Sequence, residues 1–166
     1  MEPSRPPGLS PLYWLRLIPV TATFTLVGLF GLLAVVGQRF TEADTLWIAL
    51  PLILGAADLA LVPAVGSTVR PLPYGVGQAD AKRIALGVLR TVTLLRLGLA
   101  EAPALFGLAA SFITDSLLPY AIGFAFSVPL LLFFTYPRAA VVEAVRERLE
   151  SGGVASHLWE ALDSPP

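Results

Sequence analysis

Three ionisable side chains interrupt segments that are otherwise apolar. Asp58 lies in LILGAADLALVPAVG (residues 52–66). Glu101 lies in LGLAEAPALFGLAASFI (residues 97–113), with Arg96 five residues before it and Pro103 two residues after. A carboxylate at the centre of a membrane span costs about 2.5–3.5 kcal/mol on insertion scales. It is therefore kept for one of two kinds of chemistry: holding and releasing a proton or cation, or tying helices together through buried hydrogen bonds. Pro103 has no N–H, so it frees the carbonyl of Leu99 and loosens the helix beside Glu101. Arg96 is the nearest base by depth. It can reach Asp58 across a helix pair or extend its long side chain toward the interface. Asp58, Glu101 and Arg96 thus form a candidate intramembrane polar seam or ion site, with Pro103 as the helix break beside it.

Only an all-α membrane protein can position such a seam. Of the 166 residues, 55% are hydrophobic and 14% charged, and the mean hydropathy is +0.74. Soluble domains carry about 25% charged residues. Four apolar runs, at about 12–37, 45–66, 84–113 and 117–137, each approach the roughly 20 residues that cross about 30 Å of hydrocarbon as a helix. None alternates as a barrel strand would, and open strands cannot cross lipid. These runs make a four-helix transmembrane domain over 12–137. Residues 1–11, with four prolines, read as a disordered leader. Residues 138–166 read as a cytoplasmic amphipathic tail, in which Val141, Val142, Val145 and Leu149 recur at helical spacing against Glu143, Arg146, Glu147, Arg148 and Glu150. Such a helix lies on the membrane surface, docks on a partner, or simply prolongs the fourth helix into water.

Orientation follows from the basic residues. Arg5, Arg16, Arg70, Lys82, Arg83, Arg138, Arg146 and Arg148 fall on one side of the spans, and Arg39 stands alone on the other. The positive-inside rule puts both termini and the 67–82 loop in the cytoplasm, which fits a cell inner membrane and an even number of spans. In this topology Asp58 is thirteen residues from the start of the second span at Thr45, and Glu101 thirteen from the end of the third at Thr114. At 1.5 Å per residue both carboxyls are roughly 20 Å from the outer boundary, at matching depth.

The stretch RTVTLLRLGLAEAPALFGLAASFI, residues 90–113, resembles the carboxylate-bearing helix of ATP synthase subunit c. It has an Arg-Thr start, an Ala-Glu-Ala core about ten residues on, then a glycine and a Ser-Phe-Ile end. The resemblance is local, covering 24 of 166 residues. It implies that Glu101 occupies the position of the ion-carrying carboxylate. The preceding span lacks that family's glycine repeat, and the polar loop reads RPLPYGVGQ.

Small residues mark further helix faces: Ala56, Ala60 and Ala64 on the second span, Ala100, Ala104, Gly107 and Ser111 on the third, and Gly123 and Ser127 on the fourth. Small residues at four-residue spacing let helices approach closely. Other chemistry is poorly supported. The chain has no cysteine and one histidine, His157, with no metal-ligand set beside it. GVGQAD (75–80) follows no strand and is too short for a dinucleotide fingerprint. No basic stripe interleaved with aromatics points to nucleic acid. The expectation is a non-catalytic structural or accessory subunit of a membrane assembly, in contact with membrane lipids and with other membrane subunits or copies of itself, using no cofactor and no metal. The alternative is a proton- or cation-handling protein that uses Glu101, with Asp58 in support.

Overall fold

The computed structural model describes residues 11–37 and 39–163. The first ten residues of the expected leader lie outside this range, and Pro11 opens the first helix. The elements are α1 (Pro11–Val36), α2 (Thr45–Ala64) running into a 3₁₀ turn (Val65–Thr68), α3 (Gln78–Thr114), α4 (Leu118–Leu130) running into a π-helical turn (Leu131–Thr135), α5 (Ala139–Glu150) and α6 (Leu158–Asp163). Four of these helices are long and apolar enough to cross a membrane: α1, α2 with its 3₁₀ turn, α3, and α4 with its π turn.

The third helix differs most from the sequence expectation. It is 37 residues long and unbroken, where a span over 84–113 was expected. At 1.5 Å per residue it measures about 55 Å, nearly twice the hydrocarbon thickness. It begins at Gly77, whose extended backbone supplies the non-helical entry. It stops at Asp115, which takes the left-handed conformation (φ 50°) and donates its N–H to the Ser111 carbonyl. A short polar residue tolerates that conformation at a helix end.

Two cores are strung along α3. The first lies at its C-terminal half: Ala100 and Ala104 pack with Leu26 and Leu33 of α1, Val62 of α2, and Tyr120, Leu130 and Leu131 of the α4 segment. The second lies at its N-terminal half: Ala81, Ala85, Leu89 and Val92 meet Val142, Val145 and Leu149 of α5, Leu158 and Leu162 of α6, Leu72 of the 69–77 loop, and Leu15 of α1. The tail therefore neither lies free nor prolongs α4. Its apolar face closes on the chain's own α3, forming a helical cap. The Leu72 N–H donates to the Leu149 carbonyl (2.9 Å), fixing the loop to the end of α5.

The opposite end of the bundle is tied by its turns. The Leu117 N–H donates to the Arg39 carbonyl (2.9 Å), and the Ser116 hydroxyl donates to the Thr41 carbonyl (2.7 Å). Outside the bundle core, large apolar side chains such as Phe24, Val35, Leu46, Ile53, Phe112 and Ile113 are exposed. A water-soluble domain seldom shows so continuous an apolar exterior.

Candidate functional site

The α3–α4 contact sets the geometry of the bundle interior. A Cβ on Gly107 would run into the backbone of Pro119 and Tyr120, and one on Gly123 into the Pro103 carbonyl and the Ala104 backbone. Both glycines are therefore required by backbone-to-backbone contact, as small-residue helix faces permit. Two serines on these faces bond to the facing helix. The Ser127 hydroxyl accepts the Ala104 N–H (3.1 Å), one residue past Pro103. The Ser111 hydroxyl accepts the Tyr120 N–H (3.1 Å), one of the first-turn donors of α4 that lack an intrahelical partner. The Ala104 N–H beside Pro103 is thus taken up by the facing helix, and α3 continues through the proline. A buried aromatic group holds α1: the Tyr120 hydroxyl donates to the Leu26 carbonyl (2.8 Å), and Phe30 lies against Tyr120 and Phe124.

On α2 the packing face differs from the one expected. Ala56, Ala60 and Ala64 are exposed, whereas Pro51, Gly55, Asp58 and Val62 are buried. Gly55 is the close-approach residue, with Phe126 occupying the space a side chain would need. Alanine is apolar enough to face outward as readily as inward, so its spacing alone could not identify the interface.

Arg96 is 7% exposed, and its guanidinium bonds to neither carboxylate. Nη1 donates to the Phe134 carbonyl (3.3 Å) and Nη2 to the Pro63 carbonyl (3.4 Å). Those carbonyls belong to the π turn that ends the α4 segment and to the last turn of α2. Helix C-termini present unsatisfied carbonyls and the negative end of the helix dipole, so a cation bonded to both is well placed. Gly66 makes room for it: a Cβ there would stand 2.5 Å from Nη2. The reach of Arg96 to Asp58 entertained from the sequence is not realised, because the side chain extends toward the cap end. Arg138 serves the same helix end, donating to the Leu132 carbonyl (3.0 Å) and lying over the Phe133 ring.

Asp58 is 3% exposed, and its Oδ2 has no hydrogen-bond partner; neither has Nε of Arg96. Glu101 is half-buried beside Ala100. Among the described residues no hydrogen bond or ion pair joins Asp58, Arg96 and Glu101, so the three-membered seam is not assembled as a bonded network. Sequence reasoning missed the bonding roles of Ser111, Ser127 and Tyr120. The available signal was a serine in the small-residue face opposite a helix-interior proline.

Beyond the bundle, the cap is closed by polar contacts. Glu160 on α6 pairs with Lys82 on α3 (2.9 Å) and with Nδ1 of His157 (3.0 Å). These two partners, His157 first, hold the Glu160 carboxyl down at about 2. Burial tends to raise the Glu150 carboxyl, but bonds from the Ser156 N–H and hydroxyl, with Arg146 and His157 nearby, bring it below its ordinary value. Trp159 Nε1 donates to Glu143 (3.1 Å), which also pairs with Arg146. Comparison of the chain with protein-family models, with curated proteins and with solved structures finds no match, so the functional reading rests on the residues themselves.

Proposed function

We propose that the protein spans a bilayer four times and acts as a non-catalytic structural or accessory subunit of a membrane assembly, with α3 joining its membrane bundle to a cytoplasmic cap. The observation that supports this most is the use made of the interior Arg96. The strongest polar group in the bundle is bound to the ends of α2 and α4, which makes it a fastener and not a reacting group. Ser111, Ser127 and Tyr120 are likewise engaged with backbone groups. The thin attachment of α1, whose buried residues are Leu15, Pro19, Leu26 and Leu33, leaves most of its length free to contact a neighbour. Photo-crosslinking residues placed at Phe24 and Leu32 in native membranes should give adducts of one defined mass. Adducts to lipid alone would overturn the reading.

A second reading, proton or cation handling, is favoured by one observation: the Asp58 carboxyl is buried with an oxygen that none of the described residues bonds. The local resemblance to the carboxylate helix of ATP synthase subunit c directs the same reading to Glu101. Reconstituted into liposomes, the wild-type chain would then pass protons down a pH gradient, and Asp58→Asn or Glu101→Gln would abolish the flux. Equal leak in wild type and both variants would leave the structural reading.

A further inference from the structure

The basic residues of α3 are not used alike. Lys82 is paired with Glu160 and Arg83 with Asp80, while Arg96 is bound to two helix ends. Arg90 is exposed and, among the described residues, has neither a hydrogen bond nor an ion pair. It lines a groove of about 560 Å³ between α1 and α3, whose walls include Trp14, Ile18, Thr21 and Leu86. Among the described residues that line it, Arg90 is the one charged side chain and most of the others are apolar.

Its level on the bundle identifies its occupant. Counting about twenty residues of span back from Thr114 on α3 reaches residue 94, so Arg90 stands about 6 Å beyond the hydrocarbon. The same count from Val36 on α1 reaches residue 16, and Trp14 stands about 3 Å beyond it. Both side chains fall in the headgroup layer, where tryptophan is favoured, while Ile18 and Thr21 continue into the acyl region. We propose that this groove is a binding site for one anionic phospholipid, whose phosphate is bound by Arg90 and one of whose acyl chains lies along α1 past Trp14 and Ile18. An unpaired guanidinium matches a phosphate in charge and in fork geometry. A headgroup without its own cation is preferred, since Arg90 makes this groove positive. The inference rests on the four helices spanning a bilayer.

The test uses Trp14 as reporter. The full chain with Trp47→Phe and Trp159→Phe, which leaves Trp14 alone of the three tryptophans, is reconstituted in phosphatidylcholine vesicles containing a minor fraction of phosphatidylglycerol. Bromine is placed on the acyl chains of one lipid or the other at equal mole fraction. Brominated phosphatidylglycerol should quench Trp14 well beyond brominated phosphatidylcholine. Arg90→Gln should lower that preference about fivefold, the change expected for one interfacial basic residue. Arg83→Gln should leave it intact, and Arg90→Lys should retain most of it. Added inorganic phosphate should not compete, because the acyl chain contributes to binding. Equal quenching by the two lipids, or an undiminished preference in Arg90→Gln with unchanged helicity, would overturn the site. Absence of quenching by either lipid would overturn the spanning reading itself.

Discussion

At the scale of single residues, Arg96 and Asp58 have opposite standing. Arg96 serves two carbonyls from two helical segments, so its loss removes two charge-assisted bonds at once. Arg96→Leu should lower stability by about 1.5–3 kcal/mol, the range for hydrogen bonds to a charged group. Arg96→Lys should cost less, since one ammonium can still bond one carbonyl. Melting in mild detergent measures both. Asp58 has a buried oxygen with no partner, so removing its charge relieves a burden. Asp58→Asn should fold at least as well as wild type by the same measurement. A melting point lowered as much as by Arg96→Leu would mean that the carboxylate is bonded in the membrane after all. The types and positions of these residues were legible in the sequence, because ionisable groups stand out in an apolar run. What each one touches was not, since the reach of an arginine depends on where two other helices end and on a glycine, Gly66, at the point of contact.

At the scale of elements, hydropathy found the four long apolar helices, and period marked Val142, Val145 and Leu149 as one face of α5. Periodicity describes a face without naming what covers it, so the docking of that face on α3 was not legible. The third helix was underestimated because only its apolar run, about 84–113, was counted, whereas nothing between Gln78 and Ala102 ends a helix. Close packing makes the α3–α4 contact the most sensitive to added volume. Gly123→Ala should destabilise by about 1–3 kcal/mol, as overpacking does. Tyr120→Phe, which removes only the bond to the Leu26 carbonyl, should cost about 0.6 kcal/mol, typical of interhelical hydrogen bonds in membrane bundles. If Gly123→Ala melted like wild type, the two helices would be further apart than described. On the cap, Glu160 is held below its ordinary 4.5, at about 2. A lowered folded value adds stability that is present above about 4.5 and is lost as the pH falls toward 2. Proteolysis of α6 should therefore quicken over that acid interval in wild type and lose this dependence in Glu160→Gln.

At the scale of the whole molecule, the described chain has a polar cap at one end of its apolar bundle and two short tied turns at the other. With an even number of spans, the cap and the 69–77 loop must share a side. Arg70, Lys82, Arg83, Arg138, Arg146 and Arg148 are on that side, opposed by Arg39 on the other. Because Lys and Arg in short loops are retained in the cytoplasm, the cap should face inward. The chain has no cysteine, so single cysteines can report the side directly. Phe40, Glu42, Tyr74 and Ser151 are all exposed, so a difference in labelling among them would reflect the side of the membrane and not burial. In intact cells an impermeant maleimide should label Phe40→Cys and Glu42→Cys, and it should reach Tyr74→Cys and Ser151→Cys only after the membrane is opened. Labelling of Tyr74→Cys in intact cells would reverse the orientation, moving the cap and the groove at Arg90 to the outer leaflet, where any lipid bound there would have to be found.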